Sequence, residues 1–211
     1  MDDGTEKLSR KERERLGHQD EILAAAEVVF IRDGYHRATV EEIAREAEFS
    51  VGTLYNFFKS KGEMYARVIE RIADELTAKL QSRVFSHEDP EYALSALIEL
   101  RLTHFEAHRG FFRVFFESSP GSRMDPVSAL PDSFKGLYEN YLVEVSEIIE
   151  RGITRGAFAA IDPFYQALCL EGIVNASVSY WALQETSEPL ESRIARTRDT
   201  VLRYLSAAKP A

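Results

Sequence analysis

The chain has 211 residues, of which 45% are hydrophobic and 29% are charged. This balance is typical of a soluble globular protein, and no apolar run approaches the roughly 18 residues that a membrane-spanning helix requires. The single cysteine excludes an internal disulfide framework and a cysteine-rich metal site. Because the charged first 15 residues also lack the pattern of a signal peptide, we expect a cytoplasmic protein without a membrane segment.

The overall charge does not favour binding to nucleic acid. Asp and Glu outnumber Lys and Arg by 35 to 26, a formal net charge of −9, so DNA binding would have to depend on local basic patches. Lys59 and Lys61 form one such patch, and residues 1–15 contain the other. We expect residues 1–15 to be a flexible arm that either reaches DNA or is a solvated charged tail. The basic residues of this arm are Lys7, Arg10, Lys11, Arg13 and Arg15.

The hydrophobic pattern predicts one helix after another. Apolar residues recur at helical spacing, no stretch alternates as a strand would, and Thr39 with Glu42 has the spacing of a capping box. A long helix is predicted from Lys61 to about Phe85. We therefore predict an all-α fold, with a helix-turn-helix head over residues 16–60 and a larger helical body over residues 61–211. Dipeptides ending in proline mark later helix starts at Asp89-Pro90, Asp162-Pro163 and Glu188-Pro189.

Residues 39–58 have the spacing of a helix-turn-helix unit. A helix of eight or nine residues is followed by a short turn and by a second helix, Val51 to Phe58. A helical wheel of the second helix directs Gly52 and Asn56 away from the core. An exposed glycine within a helix costs about 1 kcal/mol relative to alanine, and the close approach of another molecule would explain that cost. An ordinary amphipathic helical hairpin remains the alternative.

Two runs within this unit carry a resemblance to a known family. Thr39-Val40-Glu41-Glu42-Ile43-Ala44 and Ser50-Val51-Gly52-Thr53-Leu54-Tyr55-Asn56-Phe57-Phe58-Lys59-Ser60-Lys61 are similar to the DNA-binding head of the tetracycline-repressor (TetR) family. The resemblance implies a transcriptional regulator whose second helix enters the major groove. It implies phosphate contacts from Thr39, Ser50, Thr53, Tyr55, Lys59 and Lys61, and base contacts from Val51, Gly52 and Asn56.

The sequence departs from the family pattern at two positions. Glu48 stands where a turn glycine is common, so we expect backbone strain or adjustment there. Its charge, beside that of Glu46, must point away from DNA or pair with Arg45. Val51 stands where a polar or basic residue is frequent, and it could contact a thymine methyl group.

The body shows no catalytic pattern. Its histidines are scattered, and neither a nucleophile motif nor a phosphate-binding loop is present. His104 and His108 stand at i and i+4, but the sequence offers no convincing third ligand. We therefore expect no enzyme activity, no cofactor and no metal site.

Aromatic residues are unusually dense in the body, and most of them must belong to its core. The family resemblance implies an effector pocket among them, for a mid-sized apolar or aromatic ligand, with a few polar groups. The candidate pocket residues are Phe105, His108, Phe112, Phe116, Tyr138, Tyr141 and Asn175.

The last two predicted helices carry broad apolar faces. The resemblance implies that they form a homodimer, which would place two reading helices on a palindromic operator in double-stranded DNA. Two internal core helices of a monomer are the alternative. The predicted function is a repressor that a small-molecule effector releases from DNA. The alternative is a DNA-binding regulator controlled by a protein partner, which the lack of an enclosed apolar cavity would favour.

Overall fold

The computed structural model describes residues 9–118, 133–183 and 188–206. All regular structure in these ranges is helical, so the all-α prediction is confirmed. None of the described helices combines the length and the hydropathy that crossing a bilayer requires. The helices are α1 (Arg10–Asp33), α2 (Val40–Glu46), α3 (Val51–Phe57), α4 (Lys61–Leu80), a π-helical turn (Gln81–Phe85), α5 (Pro90–Ala107), α6 (Arg109–Ser118), α7 (Ser133–Thr154), α8 (Pro163–Leu183) and α9 (Leu190–Ser206).

The chain divides into two compact units, the first ending at Arg71 and the second beginning at Ile72. The first unit, called the head below, contains α1 to α3 and the first half of α4. Its core is built from apolar side chains that recur at helical spacing in each of these helices. The fully buried members are Ile22, Ala26, Val29, Phe30, Ile43, Leu54, Met64 and Val68.

Side-chain caps determine where the helices of the head begin. The Thr39 hydroxyl accepts from the Glu42 backbone N–H at 3.2 Å, and the Glu42 carboxylate accepts from the Thr39 N–H at 3.0 Å, which completes the predicted capping box. Ser50 caps α3 by accepting from the Thr53 N–H at 3.1 Å. These two caps fix the first residues of α2 and α3 at the positions that the sequence predicts.

The start of α1 differs from the sequence-based expectation. Residues 10–15 were expected in a flexible arm, but α1 begins at Arg10 and includes them. A capping box explains the earlier start, because Ser9 and Glu12 each accept from the other's backbone N–H. An ion pair between Arg10 and Glu14 adds to it at 2.8 Å. Lys7 lies outside the described residues.

The second unit, called the body below, contains the end of α4 and the helices α5 to α9. Helix α5 packs against α7, α8, α9 and the π-helical turn, while α8 packs against α6, α7 and α9. Helix α5 ends at its C-cap, His108, and α6 begins at the next residue, so Gly110 lies inside α6. The fully buried side chains at the centre of this unit include Leu94, Leu97, Ile98, Leu102, Ile148, Val174 and Val201.

Candidate functional site

The turn between α2 and α3 contains one residue with a strained backbone conformation. Glu48 has a φ of +59°, in the left-handed region that favours glycine, so the expected strain is present. On one side of it the Phe49 N–H donates to the Ala44 carbonyl at 2.9 Å. The Phe49 ring also contacts His18 of α1, with ring centroids 5.2 Å apart. These contacts hold the chain in the turn although a side chain is present at Glu48.

Helix α3 presents a small, polar outer surface. Leu54 is buried, whereas Gly52 and Asn56 are exposed, as the helical wheel predicts, and Tyr55 is exposed as well. A Cβ atom added to Gly52 would find only the Ser50 hydroxyl within 4 Å, at 3.8 Å. Glycine is therefore not required by the packing of the head itself. This position can admit the close approach of another molecule's backbone.

The hydroxyl groups of this surface already take part in capping. Ser50 Oγ and Thr53 Oγ1 share a hydrogen bond of 2.8 Å, and Thr39 Oγ1 donates to the Glu42 carboxylate at 2.8 Å. Thr39 and Ser50 are nevertheless exposed. A phosphate contact from Thr39 would therefore require its hydroxyl proton to turn away from Glu42.

Lys61, a predicted phosphate contact, is bound by backbone carbonyls within the head. Its ammonium group donates to the carbonyl oxygens of Tyr35 at 2.7 Å and Ala38 at 2.9 Å, and also approaches the carbonyl of His36 at 3.4 Å. The same group lies 4.7 Å from the centre of the Tyr35 ring. Because three carbonyls occupy the three donors of the ammonium, Lys61 ties the start of α4 to the loop before α2. Lys59, in contrast, is exposed.

The acidic residues near the turn are partly compensated within the head. Glu46 pairs with Arg32 of α1 at 3.0 Å, and Arg32 also pairs with Asp33 at 2.9 Å. Both pairs are substantially exposed, so their effect is to reduce local repulsion rather than to add much stability. The negative charge of Glu46 therefore presents a smaller obstacle to a nearby phosphate.

The body contains a cavity of about 590 Å³. This volume lies within the range of about 300–1,000 Å³ that is typical of small-molecule sites. The C-terminal half of α4, the π-helical turn, α5, α7 and α8 form its wall. The apolar lining residues are Ala73, Leu76, Leu80, Phe85, Leu137 and Val143, and the polar or aromatic ones are Asp74, Thr77, Gln81, Arg101, Tyr138, Asn140, Tyr141, Glu144 and Glu171.

A buried polar network forms one part of the cavity wall. Arg101 of α5 donates to both carboxylate oxygens of Glu171 on α8. Tyr141 Oη donates to Glu171 at 2.6 Å, and Arg101 also donates to Asn175 Oδ1 at 2.8 Å. Burial opposes the charge on Arg101, but the neighbouring Glu171 more than offsets it and raises the pKa of Arg101. Burial and then Glu171 raise the pKa of Tyr141 well above its ordinary value, so this phenol stays protonated.

The structure separates the predicted pocket residues into two groups. Tyr138 and Tyr141 line the cavity, and Asn175 is joined to its wall through Arg101. The remaining four do not line this cavity. Phe105, Phe112 and Phe116 form an aromatic cluster of α5 and α6, with two of the three buried, and His108 lies beside Glu75.

Sequence reasoning missed the charged residues of the network. Arg101 and Glu171 are the relevant pair, and a usable sequence feature existed. Glu171 is the one charged residue of α8, whereas α5 carries Glu91, Glu99 and Glu106 besides Arg101. Charges in apolar helices are rarely buried unless they are paired. The sequence could therefore have indicated that Glu171 is paired, but not which residue is its partner.

A second cluster in the body contains the two histidines. The carboxylate of Glu75 on α4 lies close to both His104 and His108, so a potential third ligand stands beside them. Burial, followed by the charge of His108, lowers the pKa of His104 to about 4. The His104 imidazole is therefore neutral near pH 7.

Comparison with known proteins agrees with this architecture. The family model described as "Bacterial regulatory proteins, tetR family" matches residues 22–68, which include the whole helix-turn-helix unit. The chain is 27% identical over 190 residues to the HTH-type transcriptional regulator YhgD of Bacillus subtilis, covering 88% of this chain and 95% of that protein. It is 33% identical over 112 residues to the HTH-type transcriptional activator FasR of Mycolicibacterium smegmatis, covering 53% of this chain and 49% of that protein.

A solved structure shows that the fold extends through the body. The fatty acid degradation regulator FadR from Bacillus halodurans superimposes with a TM-score of 0.72 at 20% identity, covering 93% of this chain and 97% of that chain. The helix-turn-helix geometry, the family match and this fold lead to one conclusion. The chain belongs to the tetR family of bacterial regulatory proteins and is a DNA-binding transcriptional regulator.

Proposed function

We propose that this regulator is a repressor that binds a palindromic operator as a homodimer and is released when a small molecule occupies the cavity of the body. The observation that carries the proposal is the presence of a cavity of ligand size, with a polar network in its wall, in a chain that also has a helix-turn-helix head. The same cavity favours a small-molecule effector over control by a protein partner alone.

The DNA contacts in this proposal come from the outer surface of α3. Gly52 and Asn56 lie nearest the base edges, where Asn56 can form the paired hydrogen bonds that recognise adenine. Val51 can contact a thymine methyl group. Lys59 and Tyr55 lie on the exposed surface of the same segment and would contact phosphates, which sets the register without reading the sequence.

The dimer in this proposal forms through α8 and α9. Helix α8 leaves Phe164, Leu168 and Tyr180 exposed, and the exposed Gly172 and Ala176 between them allow another helix to approach closely. An exposed apolar stripe of this kind on a soluble protein marks an interaction surface. Self-association of two such stripes about a twofold axis would place two α3 helices on successive major grooves.

The charges of the cavity wall restrict the class of effector. Asp74, Glu144 and Glu171 contribute three carboxylates, whereas Arg101 is the one cation among the lining residues that the structure describes and is already paired with Glu171. A ligand carboxylate would therefore meet net negative charge in a partly desolvated site. The proposed effector is a mid-sized, largely apolar molecule with a neutral or cationic polar group.

Helix α4 provides the route between effector and DNA. It runs without interruption from Lys61 to Leu80, and its last turns line the cavity. A ligand that binds one arrangement of this helix better than another shifts the equilibrium between them. The coupling is expected to be about 1–3 kcal/mol and must be reciprocal, so that operator DNA weakens ligand binding by the same factor.

A matched ligand series tests this proposal. Decanol, decylamine and decanoate share one chain and differ in the charge of the head group. Each would be added, below its micelle concentration, to the protein bound to labelled DNA from beside its own gene. Decanol or decylamine should release the DNA and should raise the melting temperature of the protein, and decanoate should do neither. If decanoate released the DNA most strongly, the charge argument would be contradicted. If none of the three ligands released the DNA, and each bound the DNA-bound protein as tightly as the free protein, ligand control by this chemical class would be contradicted.

A further inference from the structure

Three potential metal ligands converge on the side of α5 that faces the end of α4. Glu75 comes from α4, His104 lies in the last turn of α5, and His108, four residues later, is the C-cap of that helix. One ligand atom from each of the three side chains lies within 4.8 Å of the other two, a cluster found among the described residues. Histidines at i and i+4 share one helix face, a spacing from which two imidazoles can bind a single ion.

The unusual member of the cluster is His104. Its side chain is only 4% exposed, and neither ring nitrogen makes a hydrogen bond of normal geometry within the described residues. The Ile72 backbone is close enough to raise the pKa of His104, but it forms no hydrogen bond of normal geometry with the imidazole. Folded proteins avoid buried polar atoms without partners, and such atoms commonly mark the place of a bound ion or an ordered water. This orphaned imidazole points to a ligand independently of the clustering.

The spacing of the other two members fits a shared metal ion. His108 Nε2 lies 3.5 Å from Glu75 Oε2, which is longer than the 2.7–3.2 Å of an ordinary N–H···O bond. Two ligands at 2.0–2.2 Å from one tetrahedral ion are about 3.4 Å apart. The observed separation therefore already matches that between two ligands of a shared ion.

We propose that Glu75, His104 and His108 bind one divalent transition-metal ion, with Zn²⁺ as the best match and water as the remaining ligand. Imidazole nitrogen with one carboxylate suits Zn²⁺, Cu²⁺ and Ni²⁺, whereas Mg²⁺ and Ca²⁺ prefer sites made of oxygen atoms. Lys79, one turn beyond Glu75 on α4, carries a like charge that opposes the ion. Glu75 offsets part of that repulsion. The bound ion would tie α4 to α5 within the body.

The test uses the full-length chain without a polyhistidine tag, stripped with EDTA and titrated with Zn²⁺ by calorimetry. Wild-type protein should bind one Zn²⁺ per chain, and the ion should raise the melting temperature. Glu75→Gln and His108→Gln should each weaken binding by more than about tenfold. His36→Gln removes an exposed histidine of the head and is the matched control, which should bind as the wild type does. Mg²⁺ should produce neither heat nor a thermal shift at the same concentrations.

Two results would overturn the proposal. One is the absence of stoichiometric Zn²⁺ binding to folded wild-type protein, and the other is unchanged binding by both Glu75→Gln and His108→Gln. These two variants change partly exposed side chains, so the test does not depend on whether a variant of the buried His104 folds. Replacing Zn²⁺ by Co²⁺ gives a second readout, since a four-coordinate site with two imidazoles should produce a visible absorption band that Glu75→Gln weakens.

Discussion

Arg101 donates to both carboxylate oxygens of Glu171, and this buried ion pair joins α5 to α8 in the wall of the cavity. The side chain of Glu171 is only 2% exposed, so its charge depends on this partner and on Tyr141. A buried pair of this kind contributes less to stability than its geometry suggests, but the removal of one member leaves the other charge without compensation. The pair therefore holds the wall of the cavity together and limits which ligand charges can enter.

Arg101→Met should destabilise the protein strongly. The substitution removes the main partner of a buried carboxylate, which typically lowers the free energy of unfolding by about 3–5 kcal/mol. The double variant Arg101→Met with Glu171→Leu replaces both charges by apolar groups and should recover most of this loss. Urea denaturation at neutral pH measures both effects. A loss below about 1 kcal/mol in the single variant, or no recovery in the double variant, would contradict the assigned role of the pair.

Gly52→Ala should separate the stability of the head from its binding to DNA. Because a Cβ atom at Gly52 makes only an ordinary contact, with the Ser50 hydroxyl at 3.8 Å, alanine should stabilise α3 by up to about 1 kcal/mol. The added methyl group would stand where the DNA backbone is proposed to approach, so DNA binding should weaken. Gly136→Ala, at an exposed glycine of α7 where an added Cβ atom would find no described atom within 4 Å, is the matched control. It should leave DNA affinity unchanged, and equal affinity for all three proteins would refute the close approach at Gly52.

Asn56→Ala should relax sequence recognition at one position of each half-site. The exposed amide can pair with an adenine edge, and such a paired contact discriminates against wrong bases by about 1–3 kcal/mol. Binding to a set of operators with single base changes measures the effect, with unrelated DNA as the reference. Uniform weakening on every sequence would show instead that Asn56 contacts only the DNA backbone.

The two lysines near the start of α4 should behave differently. Lys59→Gln should weaken binding to all DNA sequences and leave the melting temperature of the protein unchanged. The salt dependence of the DNA affinity should fall by about one released counterion per head. Lys61→Gln should instead lower the melting temperature of the protein, because three backbone carbonyls lose their donor. Thermal unfolding and binding at several salt concentrations compare the two variants. An unchanged melting temperature for Lys61→Gln would contradict this structural role and favour the phosphate contact that the family resemblance implies.

Leu168→Glu should disrupt the proposed dimer. Leu168 is an exposed apolar residue at the middle of the α8 stripe, and a charge there would be buried without a partner in a twofold interface. Light scattering after gel filtration should detect monomers, and operator binding should weaken with them. Val28→Glu, an exposed apolar position of α1, controls for adding a charge to the surface. If Leu168→Glu remains a dimer like the control, the interface lies elsewhere.

Local interactions made much of this fold predictable from the sequence. The capping box of Thr39 and Glu42, the cap at Ser50 and the start of α5 at Asp89-Pro90 all depend on residues within one helical turn, and all are present. Helical spacing also predicts that Leu54 is buried while Gly52 is exposed. Each of these predictions needs only the periodicity and hydrogen-bonding capacity of neighbouring residues.

The partners of the site could not be predicted in the same way. Periodicity shows that Phe105 and Phe116 are on a buried face, but it does not show that they pack in the core instead of lining the cavity. Arg101 and Glu171 are 70 residues apart in the chain. Glu75 and His108 likewise come from two different helices, and their proximity depends on how those helices pack. The buried face of a helix can be predicted from the periodicity of that helix alone, whereas the residues that meet in a site depend on how several helices pack.

The most direct test of the account is a titration of the wild-type protein onto labelled DNA from beside its own gene, at low and at moderate salt, followed by footprinting. The account predicts saturable binding that weakens steeply with salt and protects one palindromic site, with half-sites about 34 Å apart. The absence of saturable binding at low salt by a folded dimer, or protection without any palindromic site, would contradict it.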